Sequence, residues 1–162
     1  MVAFRMDFSK YEDRKKFFYL EYSPEQVKSL IEEGGGTIDQ LISKKKITRL
    51  VIDSVTSFSL LYQDELSKKE AGLALFELIN KWGCTAVLTA QAEARGYSLE
   101  SSSLEFEADS IILLYHFREG GQRSRCLEIL KMRGTKHGNK TMEVEINADG
   151  FIVHPNNIIK VN

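Results

Sequence analysis

Apolar and polar positions alternate along the chain in a way that predicts strands and helices in turn. In sequence order we expect strands at 15–23, 47–54 and 84–90 and, between them, helices at 24–33, 37–46 and 64–83. The strands at 47–54 and 84–90 are continuous apolar runs, which is typical of buried parallel strands. The pattern therefore predicts an α/β fold built on a mostly parallel sheet with helices on both faces.

Capping residues mark the helix boundaries. Ser23 followed by Pro24 predicts the start of the first helix, and Thr37, after a glycine triplet, predicts the start of the second. Gly83 ends the third and longest helix. The residues predicted to form the apolar face of that helix are Leu66, Leu73, Phe76, Leu78 and Ile79.

The C-terminal part of the chain predicts antiparallel hairpins. Strands at 109–117 and 124–133 are joined by the turn "REGGQR", and the stretch 140–154 forms a second hairpin with Asp149-Gly150 at its tip. We expect these strands to extend the parallel sheet. The polar, serine-rich stretch 93–108 has no periodicity and predicts a loop.

Composition limits the classes of protein that the chain can belong to. Its 162 residues suit a single domain (1–162), and 22 Lys and Arg against 23 Asp and Glu argue against coating nucleic acid or an anionic membrane through bulk charge. No apolar run approaches the roughly 20 residues that span a bilayer. Cys84 and Cys126 lack metal-ligand spacing and fit small buried side chains in a reducing compartment, so we expect a cytoplasmic protein.

Two polar residues follow the apolar strands of the predicted parallel sheet. Asp53 lies at the carboxyl end of the strand at 47–54, and Gln91 comes directly after the strand at 84–90. Ligands of such sheets bind at the carboxyl ends of the strands, where an acid can hold the water shell of Mg²⁺ and an amide can orient a water. Taken alone, the acid also fits a helix cap, and the amide also fits a surface residue that closes a strand.

A group of cations leaves the strand at 124–133. In "LKMRGTKH", Lys131 and Arg133 are two residues apart, so on a strand they share one face, and Gly134 permits a sharp turn after them. An ammonium beside a guanidinium suits a phosphate group. The alternative is a solvated charged loop. The "GGGT" at 34–37 is not a phosphate loop, because that signature needs Gly-Lys-Ser/Thr, and the three histidines lack the spacing of a zinc site.

Together these stretches resemble the KaiC-like branch of the RecA-superfamily ATPases, which are P-loop NTPases. "RLVIDSVTSF" is similar to the family's Walker B strand, and "GCTAVLTAQAE" to the strand after it. The stretch from "FEADSII" through "LKMRGTKH" to "DGFIVH" is similar to the family's C-terminal section, and "LKMRGT" is its most specific part. The resemblance extends from about Met6 to the end of the chain.

The resemblance implies a RecA-like fold and a site for ATP and Mg²⁺. It implies that Asp53 is the metal-linked acid, that Ser54, Gln91 and His137 lie near the nucleotide, and that Lys131 and Arg133 act catalytically. KaiC-like proteins assemble into rings. The resemblance implies that in such a ring these two cations reach toward the terminal phosphate of an ATP held by the neighbouring subunit. The implied partners are further copies of the chain or an intact KaiC-like homologue.

The departure from the family concerns the phosphate loop. The pattern G-x-x-x-x-G-K-[ST] is absent from the 162 residues, as is the strand that ends in paired glutamates, one of which is the general base. The chain therefore resembles a KaiC-like domain that is incomplete at its N-terminus, and we expect it to bind no ATP by itself. The alternatives are a non-catalytic interaction module and a recombinase-like DNA-binding protein. The DNA-binding alternative is disfavoured because the stretch 93–107 contains four acidic residues and one arginine, and acidic side chains repel the phosphates of DNA.

Overall fold

A computed structural model describes residues 7–91, 107–119 and 121–159. Its helices are α1 (Ser9–Asp13), α2 (Pro24–Glu32), α3 (Gly36–Lys45), α4 (Val55–Ser59) and α5 (Glu65–Trp82). Its strands are β1 (Arg49–Ile52), β2 (Thr85–Leu88), β3 (Ser110–Glu119), β4 (Gln122–Met132), β5 (Met142–Asn147) and β6 (Gly150–Ile158). The chain divides into a parallel unit, Leu20–Glu107, and an antiparallel unit formed by Met1–Tyr19 and Ala108–Asn162.

The parallel unit is built on two strands in the predicted orientation. β1 and β2 pair in parallel, with Ile52 opposite Leu88 at their carboxyl ends. The side chains that face inward pack against a core of Val55, Leu75 and Ile79; they are Leu50, Ile52, Ala86 and Leu88. This burial of apolar area is what holds the helices against the sheet.

The opposite face of β1 and β2 is exposed. Val51 keeps 67% and Val87 keeps 56% of its surface accessible. The prediction that these strands are buried is therefore wrong for this face, because both side chains keep most of their surface accessible. A continuous apolar run shows that both faces of a strand can be buried, but other elements decide whether they are.

Helix α5 has its predicted length but a different apolar face. Leu75, Leu78 and Ile79 are buried, whereas Leu66 is 65% exposed. Leu66 precedes Leu75 by nine residues, which places it about 180° around a helix that turns about 100° per residue. The predicted face combined residues from two sides of the helix, and Leu66 was wrongly included.

The other predicted helices begin at different kinds of cap. At α2 the Ser23 hydroxyl accepts from the Gln26 backbone N–H at 3.3 Å, and the Gln26 side chain accepts from the Ser23 backbone N–H at 2.7 Å, which confirms the predicted start. At α3 the cap is Gly35 and not Thr37 as predicted, because the glycines before it take positive φ angles and the helix begins at Gly36.

The aromatic stretch at 15–23 is not a strand. Residues 17–22 lie outside both sheets, and Tyr19 and Leu20 are 69% and 48% exposed. Aromatic residues favour strands only where a neighbouring strand supplies hydrogen bonds and packing. The prediction used side-chain preference alone and is wrong for that reason.

The antiparallel unit contains both predicted hairpins. Its strands lie in the order β3-β4-β5-β6, and Gly150, with a φ of 112°, begins β6 at the tip of the second hairpin. These strands form a sheet of their own rather than an extension of β1 and β2, because no described strand pairs with both β2 and β3. Cys126 on β4 is fully buried, and this burial raises the pKa of its thiol.

Two further sequence expectations concern membranes and the predicted loop. None of the described helices is both long enough and apolar enough to cross a bilayer. The predicted loop at 93–108 falls almost entirely outside the described residues.

Candidate functional site

The carboxyl ends of β1 and β2 bring together an acid and a hydroxyl. Because Ile52 lies opposite Leu88, the next residues, Asp53 and Thr89, are neighbours, and the Thr89 hydroxyl donates a short hydrogen bond to Asp53 Oδ1. The Thr89 backbone N–H also donates to the Ile52 carbonyl at 3.0 Å. One oxygen of the Asp53 carboxylate is thus fixed at the carboxyl ends of the two parallel strands, where Asp53 is exposed.

A second pair of contacts holds Gln91 at the same edge. The backbone N–H of Gln91 donates to the Thr56 hydroxyl at 2.8 Å, and the N–H of Val55 donates to the Thr89 carbonyl at 3.0 Å. Thr56 and Val55 belong to α4, the short helix that follows β1. The segments after the two strands are therefore tied to each other, which places Gln91 in the same group as Asp53.

Ser54 lies between the acid and α4. It is the residue at the N-cap of α4, half-buried, with no hydrogen bond from its side chain to the helix, and the peptide bond that joins it to Asp53 is cis. Since the cap position belongs to Ser54, Asp53 is not the helix cap that its sequence context also allowed. Asp53, Ser54 and Gln91 thus lie together at the carboxyl ends of β1 and β2.

The predicted cations form a second group, in the antiparallel unit. We define the cationic segment as residues 131–140, which hold four Lys and Arg and no acid. Lys131 is half-buried and pairs with Ile111, while Arg133 lies just beyond β4. Gly134 follows with a φ of 68°, which confirms the predicted turn.

The end of β4 is less regular than predicted. The register with β3 shifts between Ile111 and Ile112, which leaves Leu130 as the extra residue of a bulge, 47% exposed. The side chains at the end of β4 therefore do not follow the regular alternation of a strand. Arg133 is held by the residue before β3, because its backbone N–H donates to the Asp109 carbonyl at 2.8 Å.

The cationic groups remain on the surface. The Arg133 guanidinium lies 3.6 Å from the Asp109 carboxylate, and both side chains are largely exposed, so this ion pair contributes little to stability. The exposed His137 ring places Nδ1 2.9 Å from the Gly138 carbonyl oxygen. An exposed segment of this charge suits an anion that arrives from outside the unit.

The donor set after β1 and β2 fits Mg²⁺ only as part of a larger site. The described residues contain no cluster of three or more His, Cys, Asp or Glu that could hold a metal ion. Asp53 with the hydroxyl of Ser54 supplies oxygen donors of the kind that Mg²⁺ takes, but Mg²⁺ is bound in proteins by one or two carboxylates together with substrate phosphates and water. The residues therefore fit a metal that arrives with a nucleotide.

Sequence reasoning missed the residues that position the side chains within each of the two groups. Thr89 and Thr56 position Asp53 and Gln91, and Asp109 holds Arg133. The signal for Thr89 lay in the alignment of two strand ends, since parallel strands of equal length bring the residues that follow them side by side. Asp109 gave no signal, because its role depends on the register of β3 against β4.

The chain is similar to known proteins in sequence and in structure. A family model described as "ATPase: KaiC" matches residues 1–158. The circadian clock oscillator protein KaiC of Synechococcus elongatus is 30% identical over 164 residues, which cover 94% of this chain and 31% of KaiC. A UPF0273 protein of Aeropyrum pernix is 30% identical over 150 residues, which cover 93% of this chain and 58% of that protein.

A solved structure shows the same likeness. The crystal structure of the KaiC-like protein PH0186 from the archaeon Pyrococcus horikoshii matches with a TM-score of 0.78 and 29% identity, over 96% of this chain and 68% of that chain. This chain spans about a third of the length of the KaiC proteins that it matches.

Proposed function

Because the chain belongs to the KaiC family of ATPases and has its RecA-like α/β fold, we propose that it contributes part of a KaiC-type ATP site. The part consists of the acid and amide after β1 and β2 and of the cationic segment after β4. The observation that carries the proposal is the joint fixing of Asp53 by Thr89 and of Gln91 by Thr56 at one edge of the parallel strands.

Each residue of the first group has a role that follows from its chemistry. The Asp53 carboxylate accepts hydrogen bonds from the water shell of a phosphate-bound Mg²⁺, and Ser54 lies beside it. Gln91 orients a water or contacts the terminal phosphate. When bound, Mg²⁺ offsets the charge that develops on the transferred phosphoryl group. The Thr89 hydroxyl fixes the Asp53 carboxylate, and the Thr56 hydroxyl fixes the backbone of Gln91, before any ligand arrives.

The cationic segment supplies the charge for the transfer itself. Lys131 and Arg133 stabilise the negative charge on the terminal phosphate of an ATP held by an intact KaiC-like homologue, and His137 lies beside the same nucleotide. The exposure of Arg133 and His137 supports action on a ligand outside the unit. The exposed apolar face at Val51 and Val87 supports association as well, because such surface is costly in water. The free thiols Cys84 and Cys126 fit a reducing, cytoplasmic setting.

These 162 residues by themselves neither bind ATP tightly nor hydrolyse it. The backbone N–H groups and lysine of a phosphate loop make most of the contacts to the β- and γ-phosphates, and that motif is absent from the sequence. Calorimetric titration of the chain with ATP and Mg²⁺ tests this statement. We expect no saturable heat at micromolar ATP, and micromolar binding by the chain alone refutes the proposal.

The cationic residues are tested by their action on an intact KaiC-like ATPase that carries its own phosphate loop. Addition of the wild-type chain is expected to raise the ATPase rate of that protein by at least about tenfold, since a cation supplied in trans contributes about 10³-fold or more in related systems. Lys131→Ala and Arg133→Ala remove the effect. Lys44→Ala, which removes an exposed cation from α3, is the matched control and keeps it.

A second candidate function is a non-catalytic interaction module of a KaiC-like assembly. It is favoured by the exposure of the whole stretch from Arg133 to Lys140. In this case the chain binds the intact ATPase, seen as co-migration in size exclusion, while Lys131→Ala and Arg133→Ala weaken binding without a change in the rate per bound complex. The same experiment therefore separates the two functions.

A further inference from the structure

The side chain of Glu128 joins three strands of the antiparallel sheet. Its Oε1 accepts a hydrogen bond from the Tyr115 hydroxyl on β3 at 2.7 Å. Its Oε2 accepts one from the Thr141 hydroxyl, immediately before β5, at 2.8 Å. All three side chains are half-buried, so these bonds are shielded from competing water more than surface bonds are.

These hydrogen bonds also affect the cationic segment, because Glu128 lies shortly before it on β4. In the described part of the chain, β4 and β5 are paired at two positions only, Cys126 with Glu143 and Leu127 with Met142. The second pair is the last along β4. Beyond that pair the strands separate, and the segment 131–140 runs out and returns between them. Glu128 lies on the outgoing side and Thr141 on the returning side, so their hydrogen bond closes the base of the segment.

We propose that Glu128 is a positioning residue, whose carboxylate ties the two ends of the cationic segment together and so holds Lys131 and Arg133 in place for a phosphate. The purpose of this tie rests on the proposed function, whereas the tie itself does not. A carboxylate suits the role because each of its oxygens accepts independently and because hydrogen bonds to a charged acceptor are stronger than neutral ones.

The ionisation of Tyr115 supports the geometry. Burial, and then the hydrogen bond to Glu128, raise the pKa of Tyr115 to about 12. The tyrosine ring is therefore a spectroscopic reporter of one of the two bonds. Loss of the carboxylate lowers this pKa toward the ordinary value near 10, although burial keeps it above that value.

The test uses hydrogen exchange of the isolated 162-residue chain, followed by NMR. The Arg133 amide, bonded to the Asp109 carbonyl, reports the outgoing end of the segment, and the Ile159 amide, bonded to the Thr141 carbonyl at 3.0 Å, reports the returning end. We expect Glu128→Ala to accelerate exchange at both amides by about tenfold, the effect of losing charge-assisted hydrogen bonds.

Conservative variants separate positioning from general stabilisation. Glu128→Gln keeps an acceptor for Tyr115, and its amide can donate to the Thr141 hydroxyl, so we expect exchange between the rates of wild type and of Glu128→Ala. Thr141→Val removes one bond only and accelerates the returning end while leaving the Tyr115 titration, followed in ¹³C-labelled tyrosine, unchanged. Glu143→Ala, a neighbouring exposed acid on β5, is the matched control and leaves the Arg133 amide unaffected.

Two outcomes overturn the proposal. One is equal acceleration throughout the sheet in Glu128→Ala, for example at the Phe117 amide far from the segment, which indicates a loss of overall stability. The other is unchanged exchange at Arg133 and Ile159. If Glu128→Ala does not fold, Thr141→Val and Glu128→Gln decide between the same outcomes.

A second measurement keeps this proposal distinct from the proposed function. Inorganic tripolyphosphate is titrated into the chain, and shifts of the Lys131 and Arg133 signals are followed. We expect Glu128→Ala to weaken binding at least threefold and Glu128→Gln to restore it. If the wild-type chain does not bind tripolyphosphate at this segment, the proposed function fails while the exchange data still decide the role of Glu128. Equal binding by wild type and Glu128→Ala overturns the positioning role alone.

Discussion

The glycine triplet before α3 offers a quantitative test of the packing in the parallel unit. Gly35 has a φ of +106°, and a Cβ placed there meets Asp39 Cβ, Leu78 Cδ1 and Trp82 Cζ2, each at 3.1 Å. Gly34 has a φ of +68°, and nothing lies within 4 Å of its Cβ position. The same substitution at these two neighbours therefore separates backbone strain from packing.

The magnitudes follow from these contacts. An alanine at positive φ costs about 1–2 kcal/mol, and an overpacked contact adds about 1–3 kcal/mol. The lower entropy of the unfolded alanine chain offsets about 0.4–1 kcal/mol of this cost. Gly35→Ala is thus expected to lower the free energy of unfolding by about 1–4.6 kcal/mol, and Gly34→Ala by about 0–1.6 kcal/mol.

The assay is urea unfolding followed by tryptophan fluorescence. Trp82 is the sole tryptophan of the chain, and its indole N–H donates to Asp39 Oδ1 at 3.1 Å, so its emission reports directly on the contact that Gly35→Ala disturbs. The slope of the free energy against urea concentration is expected to stay constant among the variants. Equal destabilisation by the two substitutions refutes the assigned packing, because strain is the only cost that they share.

Three further predictions concern other parts of the molecule. The pKa of Tyr115 is raised from 10 to about 12, so its contribution to stability is complete below pH 10 and is lost as pH rises toward 12. The urea midpoint of Tyr115→Phe is therefore expected to fall less over this pH range than that of the wild type. Parallel curves for the two proteins contradict the assignment. Leu75→Ala leaves a cavity in the core and is expected to lower the free energy of unfolding by about 2–5 kcal/mol, whereas Leu60→Ala, at a side chain that is 78% exposed, changes it by no more than about 0.5 kcal/mol. Similar values for the two variants in urea unfolding argue against the core described above. Ser23→Ala removes the cap of α2 and costs about 0.5–2 kcal/mol by thermal unfolding, while no loss at all is inconsistent with the capping box.

Much of the fold could be predicted because its signals are local. The cap at Ser23 and the end of α5 at Gly83 depend on a few adjacent residues, and both were located correctly. The parallel pairing of β1 with β2 followed from two short apolar runs separated by a long helix. The positions of Asp53 and Gln91 at the ends of strands could be predicted in the same way, since each stands just beyond a recognisable strand.

The errors share a different cause, which is dependence on elements distant in the chain. The aromatic stretch at 15–23 has the composition of a strand but no described partner in either sheet. Val51 looked buried from its neighbours in sequence, but no described helix or strand covers it. Leu66 was placed on the wrong side of α5 because leucines occur on several sides of that helix.

The sequence by itself determined the order of the elements, the cations after β4 and the absence of a phosphate loop, because these are properties of contiguous residues. Only the tertiary structure decided that Thr89 holds Asp53, across 36 positions, and that Glu128 joins Tyr115 to Thr141, across 13 positions on either side. Such contacts depend on strand register, and a shift of one residue turns each side chain to the opposite face of its sheet. That choice is made by the packing of the whole unit, which no short stretch of sequence contains.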